Sequence, residues 1–450
     1  MHGFTISAAG KATGAVVTPL DYTDRELTSV VTDSREVIPG CLFAALTGAR
    51  SDGHDFIPAV SQAGAAAVLC ERVVPDCAAV QLCVADVAAA LKAMAAAYRA
   101  LYAIPMVGIS GSVGKTTAKE MIAAVLSRRL RTLKTEKNFN NELGVPKTLF
   151  RLEPEHEAAV VEMGISDFGE MTRLAAMVRP DIAVYTKIGD AHLEALGSRE
   201  GVLRAKTELL PFMPPDGVVV CNGDDPLLAS FDFGKKRVLC GVSPSCDVRA
   251  EEIRHAGLEG TDFLLVSGEI RQPVHIPAYG EHLVSAALLA AGVGLTLGLT
   301  ASDIAAGIAD YAAVGSRGRI LALDGVTVVD DCYNSNPTSA MSSIASLDNL
   351  PGRPVCILGD MLELGPDAQA LHRMVGRFAA ERGNVVLASG PLSRTLAESA
   401  GGTWFASKEE LIAALPDHIQ KGDVILVKAS HSMAFETITA ALERLFAPLR

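Results

Sequence analysis

Paired cysteines and an excess of basic residues are both missing from this sequence. Its nine cysteines are scattered, odd in number and nowhere arranged as Cys-x-x-Cys. We therefore expect reduced thiols in a cytosolic protein rather than a disulfide or zinc framework. Lysines and arginines number 40 against 52 acidic residues, which gives a formal charge of −12. This balance argues against nonspecific binding of nucleic acid or of an anionic membrane surface, although it still permits a local basic pocket.

Targeting and membrane-spanning segments are also missing. The N-terminus, Met1 to Ile6, has no basic region followed by an apolar core, so it predicts no secretory signal. The uncharged stretch from Leu283 to Ala301 approaches the length that spans a bilayer, but glycine, serine and threonine interrupt it. We expect a buried helix and turn there. The chain is 49% apolar and 20% charged, which indicates a globular protein, and its 450 residues predict two to four domains.

The clearest positive signal is residues 108–117, Gly-Ile-Ser-Gly-Ser-Val-Gly-Lys-Thr-Thr. An apolar run, residues 104–107, leads in and a helical pattern, residues 118–126, leads out, which is the context of a phosphate-binding loop (P-loop). Lys115 would reach the β- and γ-phosphates, and the Thr116 hydroxyl would bind magnesium. The strict pattern wants glycine where Ile109 stands, so this is a variant loop. The alternative is an ordinary strand–helix turn.

Strand and helix patterns divide the chain into three sections, and they predict an α/β fold with three domains. We expect a small N-terminal α/β domain at 1–103 and a central P-loop domain with a mostly parallel sheet at 104–315. A C-terminal, doubly wound (Rossmann-like) domain is expected at 316–450. No P-loop signal recurs in the third section, and no internal repeat is visible.

Polar residues stand where several predicted strands end. Glu162 ends the predicted buried strand 157–162, and ligands of a parallel sheet sit beyond the carboxyl ends of its strands. Glu162 is therefore placed to hold magnesium near a γ-phosphate. His192 follows the next predicted strand, and structural and functional roles for it remain equally open. The turn 222–225, Asn-Gly-Asp-Asp, suits ribose or base contacts, whereas the polar clusters 32–35 and 48–55 are solvated loops or binding segments.

These features describe an ATP-using enzyme with a cleft between domains. The Asn-Lys-x-Asp motif that reads a guanine base in GTPases is not in the sequence. Small-molecule kinases seldom need two further α/β domains of this size. A carboxylate–amine ligase does need them, because it holds three substrates in line.

The order and spacing of several motifs resemble those of the Mur ligases, which build the stem peptide of peptidoglycan. The resemblance covers nearly the whole chain, and the matching segments are residues 32–35, 39–43, 52–56, 108–117, 135–146, 162–164, 189–194, 205–208, 222–225, 331–337 and 359–365. It implies a UDP-binding N-terminal domain, a central ATPase domain and a Rossmann-like C-terminal domain.

The branch of the family that the motifs match implies ATP-dependent addition of D-Ala-D-Ala to UDP-N-acetylmuramoyl-tripeptide through an acyl phosphate. The resemblance implies ATP and two Mg²⁺ ions as cofactors, and the two small molecules as partners. It also implies a monomer in the cytoplasm, with no nucleic acid and no stable membrane insertion.

The resemblance further implies a role for individual residues. Catalysis would rest on Lys115, Glu162, His192 and Lys206. Metal would be held by Thr116, Glu162, His192 and Lys206, the last converted to a carbamate by carbon dioxide; the alternative for Lys206 is a solvated helix residue. ATP would be bound by Gly111, Ser112, Val113, Gly114, Lys115, Thr116, Thr117, Asn222, Asp225, Arg319 and Asp331. Substrate would be bound by Thr32, Asp33, Ser34, Arg35, Gly53, His54, Asn138, Asn140, Asn141, Asn334 and Asn336.

A few positions depart from the family pattern. Leu283 and Ser285 stand where asparagines near the adenine are usual, Lys187 replaces an asparagine, and His431 replaces an arginine. Neutral histidine cannot make the bidentate contact of arginine. Three other interpretations remain: a neighbouring ligase that adds the third amino acid, a folylpolyglutamate synthetase, or an inactive Mur-ligase-like nucleotide-binding subunit.

Overall fold

The computed structural model describes residues 1–48, 51–280 and 282–447. The first section forms a five-stranded sheet in the order β1-β5-β4-β3-β2, parallel except for the edge strand β1. Its strands are β1 (Val16–Thr18), β2 (Val30–Val31), β3 (Leu42–Ala44), β4 (Ala67–Cys70) and β5 (Val80–Cys83). Its helices are α1 (Ile6–Thr13), α2 (Ile57–Gln62) and α3 (Val87–Arg99). The small N-terminal α/β unit is confirmed.

The second section forms a nine-stranded sheet in the order β14-β13-β12-β11-β10-β9-β6-β8-β7. Its strands are β6 (Met106–Ser110), β7 (Thr132–Lys134), β8 (Ala158–Glu162), β9 (Ile182–Tyr185), β10 (Val218–Asn222), β11 (Lys236–Gly241), β12 (Val248–His255), β13 (Thr261–Ser267) and β14 (Ile270–Ile276). Its helices are α4 (Lys115–Leu126), α5 (Gly144–Leu149), α6 (Glu170–Val178), α7 (Leu193–Leu196), α8 (Arg199–Thr207), α9 (Pro226–Ser230), α10 (His282–Thr296) and α11 (Ala301–Ala309).

Strands β6–β12 of this sheet are parallel, as the sequence predicts, but β13 and β14 are antiparallel. Strand and helix do not alternate in residues 236–276, where short turns such as Gly268-Glu269 connect the strands in place of crossover helices. The buried helix expected from Leu283 onward is confirmed as α10, which packs against α4. Among the described residues, no helix is long and apolar enough to cross a bilayer.

The third section forms a six-stranded sheet in the order β15-β16-β20-β17-β18-β19, antiparallel only at β15. Its strands are β15 (Arg319–Ala322), β16 (Thr327–Asp330), β17 (Arg353–Gly359), β18 (Val385–Ser389), β19 (Thr403–Phe405) and β20 (Asp423–Lys428). Its helices are α12 (Pro337–Ser346), α13 (Ala368–Glu381), α14 (Ser393–Ala400), α15 (Lys408–His418) and α16 (Glu436–Leu445). The doubly wound third unit is confirmed, while the domain boundaries after residues 103 and 315 stay predictions.

The first two sections share a hydrophobic core, whereas the third section has cores that are mostly its own. One continuous core includes residues from the first section, such as Phe4 and Tyr98, and residues from the second, such as Leu149 and Tyr185. The third section has separate cores on the two faces of its own sheet, and Tyr279 of the second section reaches one of them. The first two sections thus form one platform, on which the third section rests.

Candidate active site

The P-loop connects β6 to α4 in four residues, 111–114, as the sequence predicts. Gly111 has φ +148° and Gly114 has φ +84°. A β-carbon on Gly111 would lie 2.0 Å from Oγ1 of Thr186, so only glycine fits there. The Thr186 hydroxyl donates to the Val113 carbonyl at 2.6 Å and fixes the turn against the end of β9. The loop therefore presents its backbone at the start of a helix, where an anion is favoured.

Lys115, the first residue of α4, folds back over this loop. Its Nζ donates to the Gly111 carbonyl at 2.7 Å. Burial lowers the pKa of Lys115; the Glu162 carboxylate opposes that shift, and the charge of Arg317 adds to it. A partly buried ammonium with a lowered pKa gains from any anion that enters beside it.

Glu162 ends β8 with its side chain almost completely buried, at 2% exposure. Its two carboxylate oxygens accept hydrogen bonds from Thr116 Oγ1 and Asn140 Nδ2, each at 2.9 Å. In nucleotide sites, magnesium is commonly bound by a hydroxyl and a carboxylate of the protein, and phosphate and water oxygens supply its other ligands. Within the described ranges, no three His, Cys, Asp or Glu side chains form a ready-made metal centre. The donors at Glu162 therefore fit magnesium that arrives with a nucleotide.

His192 lies between the second and third sections. Its Nδ1 is 2.8 Å from Oε2 of Glu363, and both residues have positive φ, +57° for His192 and +61° for Glu363. Burial lowers the pKa of His192; Glu363 opposes the shift, and the charges of Lys206 and Lys115 add to it. The contact with Glu363 occupies Nδ1, which leaves Nε2 as the atom that would bind a metal. Two residues in a strained backbone conformation thus meet at this site.

Lys206, on α8, is 1% exposed, so its interpretation as a solvated helix residue is wrong. Burial lowers the pKa of Lys206 well below its usual value, the charge of Lys115 lowers it further, and Glu170 opposes the shift. The amine is thereby driven toward its neutral, nucleophilic form. The charges of Lys115 and Lys206 both lower the pKa of His192, so the three basic groups act on one another.

A cleft of about 770 Å³ opens in front of these groups, between the P-loop side of the central sheet and the third section. It is lined by many of the residues that the sequence predicts, namely Ser112, Val113, Gly114, Lys115, Thr116, Thr117, Asn138, Asn140, Asn141, Glu162, His192, Asp331, Asn334 and Asn336. The structure thus brings together predicted residues from two of the three sections, while Gly111 shapes the loop and Lys206 lies buried on α8.

Besides Gly111, three predicted nucleotide-binding residues lie outside the cleft lining. Asp225 caps α9 with Oδ1 and accepts the Ile188 N–H on Oδ2 at 2.7 Å. Asn222 accepts the Asp224 N–H at 3.0 Å. Arg319 pairs with Asp330 at 3.4 Å and with Glu443 at 3.5 Å. These contacts hold local structure, and the nucleotide roles of the three residues stay predictions.

The predicted UDP-binding residues 32–35, Gly53 and His54 also lie outside the cleft lining. His54 is 2% exposed, with Nδ1 2.7 Å from Asp52 Oδ1 and Nε2 accepting the Glu71 N–H at 2.8 Å. A β-carbon on Gly53 would come within 2.7 Å of the backbone at Ala45 and Leu46. In the other cluster, hydrogen bonds from Arg35 lower the pKa of Asp33. Both motifs have a structural use, and their substrate role stays a prediction.

Sequence reasoning gave no role to several side chains of the cleft. Lys428 is 3% exposed, and its Nζ contacts Asp331 Oδ2 at 2.5 Å and the Asn334 carbonyl at 3.1 Å. It ends the apolar run of β20, so the strand-end argument that finds Glu162 also points to Lys428. Glu363 and Arg317 lie in loops, where residue type alone gave no such signal.

The structure shows the surroundings of the residues that depart from the family pattern. Lys187 contributes its carbonyl, which accepts the Ser112 N–H at 2.7 Å, and any residue can provide that contact. Leu283 is buried in α10, where Ser285 is half-buried. His431 lies with its ring centroid 5.0 Å from that of Tyr333, at an interplanar angle of 31°.

A P-loop sheet, a buried strand-end carboxylate and a doubly wound unit across a polar cleft define a nucleotide-dependent enzyme with three α/β units. Family models divide the chain in the same way. Residues 26–99 match the Mur ligase family catalytic domain, residues 109–294 the Mur ligase middle domain, and residues 316–431 the Mur ligase glutamate ligase domain. The chain belongs to the Mur ligase family.

Individual relatives agree over almost the full length. The UDP-N-acetylmuramoyl-tripeptide–D-alanyl-D-alanine ligase of Escherichia coli is 38% identical over 94% of this chain and 95% of its own. A crystal structure of MurF from Acinetobacter baumannii superposes with a TM-score of 0.91 at 32% identity, covering 97% of this chain and 98% of that one. MurF ligase from Thermotoga maritima in complex with ADP has a TM-score of 0.82 at 28% identity, covering 92% and 97%.

Proposed function

We propose that this chain is an ATP-dependent carboxylate–amine ligase that joins D-Ala-D-Ala to UDP-N-acetylmuramoyl-tripeptide in cytoplasmic peptidoglycan precursor synthesis. The observation that carries the proposal is the near-full-length identity to the E. coli ligase of that name. The geometry supports ATP-dependent chemistry, because the P-loop, the oxygen donors Thr116 and Glu162, and the doubly wound third section all face one cleft.

ATP would bind with its phosphates on the loop 111–117. Lys115 would exchange its contact with the Gly111 carbonyl for the phosphates, where its charge is better neutralised. The relative from Thermotoga maritima, whose structure is a complex with ADP, supports the binding of an adenine nucleotide. The γ-phosphoryl group would pass to the tripeptide carboxylate, giving an acyl phosphate and ADP.

Thr116 and Glu162 would hold a magnesium ion, and His192 with a modified Lys206 would hold a second. When bound, such ions neutralise charge on the phosphates during transfer. The chain's own task is to orient the ligands: Asn140 fixes the second oxygen of Glu162, and Glu363 fixes the ring of His192.

Carbamylation of Lys206 fits its surroundings. The neutral amine would attack the carbon of carbon dioxide, an N–C bond would form, one C=O electron pair would move to oxygen, and one N–H proton would leave to solvent. The product is an anion in place of a neutral amine. This change would place a negatively charged oxygen ligand for a metal ion beside His192, where only a neutral amine stood before.

The third section would complete the site around the acyl phosphate. The dipeptide amine would attack the acyl carbon and lose a proton to the departing phosphate or to solvent; the tetrahedral intermediate would expel phosphate, and an amide would remain. Water must be kept out, or it hydrolyses the acyl phosphate first. Asn334, Asn336 and the Lys428–Asp331 pair line the cleft opposite the P-loop and would close it over the intermediate.

Phosphate release tests the proposal. The assay contains ATP, magnesium, UDP-N-acetylmuramoyl-tripeptide and D-Ala-D-Ala, and each is omitted in turn. We expect release only with all four, loss of at least about 100-fold in Lys115→Ala, and wild-type rates in Lys421→Ala, an exposed lysine paired with Asp324. Removing carbon dioxide should lower the rate, and bicarbonate should restore it.

The same assay separates the alternatives. Release with a free amino acid and UDP-N-acetylmuramoyl-dipeptide would indicate the ligase that adds the third residue. Release with a folate substrate and glutamate would indicate a folylpolyglutamate synthetase. ATP binding with no release under any combination would indicate an inactive nucleotide-binding subunit.

A further inference from the structure

Four of the nine cysteines belong to one small hydrophobic core of the first section: Cys41, Cys70, Cys77 and Cys83. Cys70 and Cys83 end the neighbouring parallel strands β4 and β5, where they are register partners. Their Sγ atoms are 3.6 Å apart. Neighbouring strands lie about 4.8 Å apart, which is inside the Cα separation of roughly 4.4–6.8 Å that a disulfide requires. Small changes of side-chain torsion would therefore bring the two sulfurs to bonding distance.

The two thiols of this pair differ in their access to solvent. Cys70 is fully buried, and its burial together with the contact to Cys83 raises its pKa to about 12. Of the nine cysteines, only Cys77 and Cys83 are not fully buried. The Cys77 thiol donates to the Ala79 carbonyl at 3.5 Å, whereas the Cys83 thiol contacts Cys70. A small oxidant therefore reaches Cys83 first, and Cys70 is the adjacent thiol that can react with the product.

The strand end that carries Cys70 leads directly into the predicted UDP-binding motif. The N–H of Glu71, the next residue, donates to Nε2 of the buried His54 at 2.8 Å. Arg72 pairs with Asp52 at 2.8 Å, and the same carboxylate contacts the ring of His54. A shift that draws the ends of β4 and β5 together would therefore act on the segment that holds His54.

We propose that Cys70 and Cys83 form a redox-sensitive modification site, in which peroxide closes a disulfide that weakens binding of the UDP-linked substrate. The Cys83 thiolate attacks one oxygen of hydrogen peroxide, so that an S–O bond forms and the O–O bond breaks. Hydroxide leaves and forms water with the proton that the thiol had released. The Cys70 sulfur then attacks the sulfur of the sulfenic acid, an S–S bond forms, and the S–O bond breaks. The departing hydroxyl group takes the Cys70 proton and leaves as water.

Two thiols are oxidised in this sequence, and one peroxide is reduced to two waters. Formation of the disulfide does not depend on the proposed function. Its effect on binding does rest on the proposed function, because it takes the UDP-linked precursor to be the substrate and the segment around His54 to contact it.

Mass spectrometry and kinetics on the full chain would test both parts. The wild type, Cys83→Ser and Cys77→Ser are treated with hydrogen peroxide, alkylated, digested with trypsin without reduction, and assayed in parallel for phosphate release. Cys77→Ser is the matched control, because Cys77 is a half-buried thiol of the same core. Cys77 and Cys83 also share the tryptic peptide 73–92, so this variant shows which of them is bridged.

We expect a cross-link between Cys70 and Cys83 in the wild type and in Cys77→Ser, and none in Cys83→Ser. In the first two proteins, oxidation should raise the KM for UDP-N-acetylmuramoyl-tripeptide by about 3- to 10-fold, the effect of one weakened hydrogen bond. The KM for ATP should not change, since the P-loop lies in the second section. Dithiothreitol should reverse both the cross-link and the rise in KM.

No cross-link in the wild type, or a bridge to Cys41 or Cys77 instead of Cys83, would overturn the site. A Cys70–Cys83 bridge with an unchanged KM for the UDP-linked substrate would overturn its effect on binding, and so would an equal rise of that KM in oxidised Cys83→Ser. If the reduced wild type did not turn over the UDP-linked substrate, the proposed function itself would fail, and the mass measurement would still decide whether the disulfide forms.

Discussion

The junction between the first and second sections differs in kind from the junction between the second and third. At the first, the rings of Phe4, Tyr98 and Phe150 pack together, with centroids 5.3 Å and 6.2 Å from that of Tyr98. The Tyr98 hydroxyl also donates to the Leu152 carbonyl at 2.7 Å. This junction lies inside a continuous apolar core.

At the second junction, the contacts beside the cleft are polar. His192 meets Glu363 at 2.8 Å, and the Thr338 hydroxyl donates to Asp190 at 3.3 Å. Separating polar groups that water can solvate exposes little apolar area, whereas opening the first junction would expose a core. We therefore expect the first two sections to act as a rigid platform and the third to move during turnover.

The largest expected effect is at the apolar junction. Tyr98→Ala should lower the free energy of unfolding by about 3–5 kcal/mol, because it removes a fully buried ring from the shared core. Chemical denaturation with the m-value checked would measure this. Tyr98→Phe, which keeps the ring and loses the hydrogen bonds of the hydroxyl with Leu152 and Tyr102, should cost only about 1–3 kcal/mol. A loss under 1 kcal/mol for Tyr98→Ala would contradict a shared rigid core.

The next effect is at the polar junction and concerns activity rather than stability. Glu363→Ala should raise the magnesium concentration needed for half-maximal phosphate release by about 10- to 100-fold, since it frees the His192 ring. Its free energy of unfolding should stay within about 0.5 kcal/mol of wild type, because Glu363 is largely exposed. Glu269→Ala, on a distant turn, is the control. If Glu363→Ala instead destabilised the protein as much as Tyr98→Ala and left the magnesium dependence unchanged, the polar junction would be a structural contact like the apolar one, and the difference between the two junctions would not hold.

The smallest effect tests a polar contact at the edge of the apolar junction. Glu142 bridges Lys92 on α3 and Arg173 on α6. Burial opposes the shift, but these two cations lower the pKa of Glu142 overall. Because the pKa of Glu142 is lower in the folded state than in the unfolded state, where it is 4.5, the ionised carboxylate stabilises the fold at pH values above 4.5. This stabilisation is lost as the pH falls from 4.5 through the folded-state pKa.

Glu142→Gln should therefore cost about 0.2–1 kcal/mol at pH 7, given its partial exposure. The difference from wild type should shrink as the pH falls below 4.5 and through the lower folded pKa. Denaturation curves at pH 7, 5 and 3.5 would measure it. A difference that stays constant over this range would mean that Glu142 contributes by packing rather than by charge.

The sequence was sufficient where a local pattern carries the physical cause. Gly111 has no room for a β-carbon, and Gly114 has a positive φ that other residues rarely adopt. Glu162 ends a buried strand, so both the P-loop and its carboxylate could be predicted from local sequence. The parallel part of each sheet was visible for the same reason. The antiparallel β13 and β14 were not, because strand pairing direction depends on turns rather than on apolar runs.

The sequence by itself determined the three α/β units, the phosphate-binding loop and the resemblance to the Mur ligases, since these rest on residue order within short segments. Only the tertiary structure decided that Lys206 is buried, that His192 contacts Glu363, and that Arg317 rather than Arg319 lines the cleft. Burial and charge pairing are properties of groups that the fold brings together from distant parts of the chain, and spacing along the chain does not encode them.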